Sequence, residues 1–274
     1  MSRAYVDLKD NPHYRMSSFI NGLARLGYTV RRGLPDHPVE PGDVALIWNR
    51  LGRSVQAEKM VKAGGGALIV AENGYHGQDA DGNQAYALAL DGHNGSGRWF
   101  VGDQSRLDAL KIDFKPWRTQ LSGRFLVADQ RGIGSPIMRS PAMFAERMTA
   151  LVEAQGKKAY VRPHPGRNKP IRSLMQDLED KEGLIVWSSN AATEALIAGV
   201  PVHYAAPAIV TRGAAKRLTT PFLWNSDVDA RPDAFKRLAW AQWFLHEIAS
   251  GEALRTLLDV HQGKLPAVQE GFGI

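Results

Sequence analysis

Short apolar runs alternate with amphipathic stretches along most of this chain, and that rhythm limits the fold more than any other feature. Strands are predicted over 3–8, 29–31, 44–48 and 67–71, with helices over 17–26 and 54–63. The pattern resumes after Lys115-Pro116-Trp117-Arg118, which reads as a crossing into a second half. There, strands over 123–130, 159–162, 184–187 and 202–204 are separated by helices over 141–155, 171–178 and 191–198. Strands joined through helices pair in parallel, so the fold class is α/β, with two Rossmann-like βαβ domains facing a cleft. Ligands of such sheets sit beyond the carboxyl ends of the strands.

At 274 residues the chain is long enough for one large or two modest α/β domains. The expected division is an acceptor domain over 1–118, a donor domain over 119–255, and a tail over 256–274 that packs back on the first. Residues 72–102 break the rhythm with Gly, Asn, Asp and His around the apolar run from Tyr86 to Leu90. A polar loop of that length is more often functional than idle. Residues 234–250 read as one long amphipathic helix carrying Trp240, Trp243, Phe244 and Ile248 on a single face.

Hydrophobic residues at 44% and charged residues at 23% suit a folded globular chain rather than a disordered one. No window approaches the length of a membrane span, and the first residues lack the apolar core of a secretion signal, so a cytoplasmic location is expected. The absence of cysteine excludes disulfides, thiolate zinc sites and a thiol nucleophile. Eight histidines show no metal-ligand spacing with an acidic partner, so ligand binding is expected to need no divalent metal. A net charge of +6 favours nucleic acid, an anionic membrane surface or a phosphate-bearing ligand without choosing among them. Gly64-Gly65-Gly66 lacks the spacing of a dinucleotide fingerprint or a P-loop.

Two motifs follow neighbouring predicted strands. Arg162-Pro163-His164-Pro165-Gly166 holds His164 between two prolines, whose fixed φ and restricted neighbours aim the ring from a stiff backbone. With Arg162 and Arg167 beside it, that imidazole can donate to a phosphate; the plainer reading is a rigid loop with a capping histidine. Ser188, Ser189 and Asn190 precede an Ala-rich helix whose first turn offers unpaired N–H groups and a positive dipole end. Its plainer reading is an N-cap in which Asn190 and Glu194 approach capping-box spacing. Together the motifs predict a place for a nucleotide monophosphate or diphosphate at the strand carboxyl ends.

Gln130 at a strand end, the Arg162-Pro163-His164-Pro165 turn, the Ser-rich helix start, and the run from Glu194-Ala195-Leu196 to Gly199-Val200-Pro201-Val202 resemble, in this order, the GT-B glycosyltransferases. The likeness is nearest to capsular polysaccharide transferases, including those using Kdo, and to sialyltransferases with a His-Pro motif. It covers roughly residues 123 to 255. The resemblance implies a nucleotide-sugar donor, UDP-hexose first and a CMP-sugar second, with no tightly bound cofactor. It implies donor contacts from His164, Ser188, Ser189, Thr193 and Glu194, with the His-Pro turn on phosphate and Glu194 on the ribose; Gln130, Arg131, Arg162 and Asn190 beside them are assigned to the donor as well. The amino-terminal half departs from those enzymes and matches none of their patterns. In architecture and charge the chain is also similar to the phage enzymes that place sugars on hydroxymethylated bases in DNA.

Sugar transfer to a hydroxyl needs a general base, because the hydroxyl is a poor nucleophile until its proton is taken. Asp91 in Leu90-Asp91-Gly92-His93 is the first candidate, since glycine permits close approach, followed by His93 and Glu72; Asp-Gly is equally a turn dipeptide. Arg15, Arg31, Arg32, Arg50 and Arg53 fall near strand ends and loops, and Arg15, Arg50 and Arg53 are assigned to the acceptor. On one face they would follow a phosphate backbone, with scattered solvated arginines as the equal alternative. The favoured acceptor is accordingly a 5-hydroxymethylpyrimidine in DNA. A capsule or other surface polysaccharide is the alternative, and a noncatalytic nucleotide- or nucleic-acid-binding protein is the alternative of another class.

Overall fold

The computed structural model describes residues 2–10, 15–49, 52–134, 138–166, 172–219 and 229–269. The chain forms two compact units, one built from the residues up to Arg106 together with those from Leu238 onward, the other from Leu107–Arg237.

The first unit opens with β1 (Arg3–Asp7), α1 (Met16–Arg25), β2 (Thr29–Arg32), β3 (Val44–Trp48), α2 (Ser54–Gly64), β4 (Ala67–Gln78), β5 (Gln84–Leu90) and β6 (Arg98–Trp99). Its parallel strands lie in the order β2-β1-β3-β4. β5 then returns antiparallel to β4, and β6 antiparallel to β5. Strands buried on both faces read as unbroken apolar runs, as Val44-Ala45-Leu46-Ile47 does. On one face Tyr5, Ala45, Ile47, Leu68 and Val70 pack with Val39 and with Ala57 and Val61 of α2.

After α3 (Ser105–Ala109) come β7 (Arg124–Ala128), α4 (Phe144–Glu153), β8 (Lys158–Arg162), α5 (Leu174–Leu178), β9 (Gly183–Val186), α6 (Ala191–Ile197), β10 (Val202–Tyr204), β11 (Lys216–Arg217) and α7 (Arg231–Trp240). The second sheet is parallel throughout, in the order β8-β7-β9-β10-β11. Phe125, Val127 and Ile185 of the sheet close its core with Phe144, Ala145 and Val152. The chain moves one way from β7 to β8 and the other way from β7 to β9, which puts a topological switch point between β7 and β9. Arg231, its side chain buried, fastens the irregular segment before β7 by donating to Lys115 O (2.7 Å) and Leu196 O (3.2 Å) and stacking on Trp117. Gly199 packs so closely there, at φ 73°, that a Cβ would collide with the Pro116 carbonyl.

The chain ends in the first unit with β12 (Gln242–Trp243), α8 (Leu245–Ser250), α9 (Glu252–His261) and β13 (Val268–Gln269). β12 pairs antiparallel with β5 and β13 with β6. The fold is thus mixed α/β with parallel sheets, as the rhythm predicts. Among the described residues no helix is long and apolar enough to cross a membrane.

Two elements differ from expectation. Residues 72–102 are not one loop: β4 continues to Gln78 and forms a hairpin with β5, with a register shift between Asn73 and Gln78. Beyond Glu72 the strand leaves the doubly covered part of the sheet, so its composition turns polar while its backbone stays extended. Nor do residues 234–250 form one helix, because β12 interrupts it. Gln242 Oε1 accepts from the N–H groups of Tyr75 (2.8 Å) and His76 (3.0 Å), and its Nε2 donates to His76 O (2.7 Å). Arg106 donates to Ala239 O and Gln242 O, pairs with Glu247 (2.5 Å) and lies over the Trp243 ring (3.9 Å). A partly buried cation thereby satisfies carbonyls that a continuing helix would have bonded.

Candidate functional site

At the switch point of the second unit, the loops after β7 and β9 are tied together. Gln130 Oε1 accepts from Ser188 N–H (2.7 Å), while Ser188 Oγ turns inward to donate to Met138 O (3.2 Å). Neighbouring β8 delivers His164, which is exposed, with its Nδ1 accepting from Gly166 N–H (2.9 Å). An acceptor at Nδ1 leaves the proton of the neutral ring on Nε2, where it is a donor. Burial lowers the His164 pKa, the Arg131 guanidinium lowers it further, and Asp129 opposes both. Arg131 is exposed and makes no ion pair among the described residues. An imidazole N–H and a guanidinium on adjacent strand ends suit an anionic oxygen.

The other predicted donor residues divide into two groups. Arg162 turns toward α5, pairing with Asp177 and donating to Arg172 O (3.2 Å), so it stiffens the turn rather than facing outward. Thr193 is buried and donates to Asn190 Oδ1 (2.9 Å), and Ser189 Oγ accepts from Ala191 N–H (3.3 Å). Asn190 makes no side-chain cap, so the expected capping box with Glu194 does not form; its Oδ1 takes the Thr193 hydroxyl instead. Glu194 is exposed at the start of α6; desolvation raises its pKa, with Arg162 opposing. The described cluster open to a ligand is thus Arg131, His164, Ser189 and Glu194. Arg167 lies outside the described residues.

In the first unit, Asp7 ends β1, Asn49 follows β3, and Glu72 lies within β4 just past its last pairing with β3. Strand alternation puts Asp7 and Glu72 on the face that Tyr5, Ile47 and Val70 bury against α2. Burial on that face pushes the Glu72 carboxyl up, against a weaker effect of the Asn73 N–H, which donates to it at 3.2 Å. Arg53 donates to Asp7 at 2.6 Å. Asn49 takes the left-handed φ of 54° and donates its N–H to Ala71 O (2.8 Å), ending β3 while β4 runs on. Arg50 lies outside the described residues.

Asp91 and His93 are elsewhere. β5 runs antiparallel to β4, so its last residue returns the chain to the amino end of β4, where Asp91 N–H donates to Leu68 O (3.0 Å). There Asp91 pairs with Arg98 (2.6 Å), and His93 is buried in a turn in which Ser96 Oγ donates to its carbonyl (2.6 Å). The three candidate bases are therefore not brought together: Glu72 lies beside the carboxyl ends of β1 and β3, and Asp91 and His93 follow β5 at the opposite end of the sheet. Arg15 immediately precedes α1 at φ 42° and donates to Asn83 Oδ1 (3.3 Å).

A similar fold occurs in two Kdo transferases. The "KpsC, beta Kdo 2,7 transferase" of Thermosulfurimonas dismutans superposes with a TM-score of 0.53 at 13% identity, covering 93% of this chain and 99% of that one. The "KpsC, beta Kdo 2,4 transferase" of the same organism gives 0.51 at 15% identity, over 87% of this chain and 89% of the other. No protein-family description and no curated protein sequence matches the chain.

Sequence reasoning passed over Asp7, Asn49 and Asp129. Each directly follows, or closes, an apolar strand run, and an Asn in that place is a recognised candidate for left-handed backbone. Which strand ends share a row depends on sheet order, which the chain order does not state.

Proposed function

We propose that the protein is a glycosyltransferase that moves a sugar from a nucleotide-sugar donor to a hydroxyl of a capsule or other surface polysaccharide. The observation carrying this is the His164 and Arg131 pair after β8 and β7, beside the switch point of a fold similar to Kdo transferases over nearly the whole of both chains. The pair suits a single phosphate better than two, which favours a CMP-activated, Kdo-type donor over UDP-hexose. As the bond from the anomeric carbon to the phosphate oxygen breaks, negative charge grows on that oxygen, and His164 Nε2–H and Arg131 stabilise it. Glu194 accepts from ribose hydroxyls.

Whether the sugar passes directly or through an enzyme-bound intermediate, the acceptor hydroxyl loses its proton as its oxygen bonds the anomeric carbon. Within the first unit, Glu72 is the carboxylate best suited to take a proton, because desolvation makes it a stronger base than an exposed one. The first unit presents the acceptor in this reading. Of the candidate arginines, Arg53 is engaged by Asp7, Arg32 by Asp10 and Arg15 by Asn83, so these three give a DNA acceptor no support. The test is incubation with CMP-Kdo and with UDP-hexoses, following nucleotide release and transfer to oligosaccharide or to hydroxymethylated DNA. Release of CMP that is lost in His164→Ala supports the proposal; failure of every donor to bind or turn over would refute it and favour a noncatalytic protein.

A further inference from the structure

Apart from the strand-end clusters, the first unit contains a cleft of about 400 Å³, within the size range of small-ligand sites. One wall is the tip of the β4–β5 hairpin with Asp79, Asp81 and Asn83, and another is Phe244 and His246 at the start of α8, with Arg15 also lining the space. We propose that this cleft is a saccharide subsite, holding a unit of the acceptor glycan remote from the reacting end. The proposal rests on the glycosyltransferase reading for the word acceptor, but not for the ligand class.

The cleft is preorganised. Asp79 Oδ1 accepts from the N–H groups of Asp81 (3.0 Å) and Asn83 (2.8 Å), and the Asn83 amide donates to both of its oxygens (3.1 Å). Burial pushes the Asp79 carboxyl up, but those hydrogen bonds outweigh it and hold the group below the usual carboxylate range, so it stays a charged brace for the turn. Gln242, buried, clamps Tyr75 and His76 near the base of the hairpin, two residues before Phe244. Phe244 N–H in turn donates to Glu247 Oε2 (2.7 Å), whose carboxylate is held by Arg106. Both walls are thereby fixed to one another before any ligand arrives, which removes the ordering cost of binding.

The lining matches the chemistry of a sugar. The Phe244 and His246 rings are stacked within 7° of parallel with centroids 6.2 Å apart, a ledge for the C–H face of a pyranose. The exposed Asp81 carboxylate accepts from hydroxyls, and the Arg15 guanidinium, with several N–H groups, supplies donors beside it. Two carboxylates outnumber the one guanidinium, which disfavours a phosphate or sulfate and favours a neutral polyol. The strand carrying Glu72 runs on to this hairpin, so the cleft is no more than roughly 25 Å from it.

The full chain, Asp81→Ala and His246→Ala are compared for binding to an array of linear neutral oligosaccharides of graded length and, separately, for transfer to the same set. Both positions are exposed, and a melting curve verifies folding. The expected result is saturable binding that strengthens with length and weakens roughly tenfold in each variant, while CMP release from donor alone is unchanged. Equal binding by wild type and variants, or no binding to any glycan, overturns the subsite. Length-dependent binding lost in the variants, with no transfer by any protein, supports the subsite and defeats the glycosyltransferase reading instead.

Discussion

The parallel parts of the two sheets share a strand order, yet their carboxyl sides carry opposite chemistry. β2-β1-β3-β4 and β8-β7-β9-β10 each step out both ways from their first strand. Where its parallel pairing stops, the first carries Asp7 and a desolvated Glu72, and the second His164 and Arg131. One end is suited to taking a proton and the other to holding an anion, so topology sets where ligands go while strand-end residues set what they are. The cores differ in the same sense: the second unit buries the neutral imidazole of His203, whereas the first desolvates a carboxyl.

The contrast breaks most visibly at Glu72. Glu72→Gln is expected to lower kcat by roughly 10²–10⁴-fold with donor affinity unchanged, and full turnover in this variant would remove the proton-accepting role. His164→Ala should cost roughly a hundredfold in kcat with nucleotide release as the readout; a loss confined to acceptor KM would move the histidine out of the anion site.

Opposite pH dependences sharpen the comparison. His203, buried mainly beside Phe125 and near Lys157, has its pKa lowered by burial from 6.5 to about 4. A lowered base pKa means the unfolded chain takes the proton first, so stability falls as pH drops from 6.5 toward 4, by about 3 kcal/mol in all. Denaturant melts of His203→Phe across that range should show a flatter profile than wild type. Glu72 works the other way: its raised pKa favours the protonated native state, and that stability is lost as pH rises through it. Glu72→Gln, unable to ionise, should melt above wild type at neutral pH and level with it in acid. The smallest effect belongs to Asp91→Asn, which should change kcat by less than about twofold; a large loss would return the base to Leu90-Asp91-Gly92.

How far the sequence could be read is clear from particular residues. The runs Val44-Ala45-Leu46-Ile47 and Phe125-Leu126-Val127-Ala128 announce buried parallel strands because both faces are covered, and the two prolines around His164 fix the turn that presents it. Ser188 and Thr193 were visible as polar residues at a helix start, but their hydroxyls bond Met138 O and Asn190 Oδ1, partners chosen by the fold. Asp91 is the first candidate base on the sequence because Gly92 follows it, and the antiparallel return of β5 places it at the other end of the sheet from Glu72.

Periodicity and local turn chemistry are short-range properties, so the chain alone determined the α/β alternation, the parallel pairing and the rigid His-Pro presentation. Strand order, the desolvation of Glu72 and the break of a helix by Gln242 and Arg106 depend on groups far apart in sequence. Those were decided only when tertiary packing chose which strand ends, carbonyls and charges became neighbours.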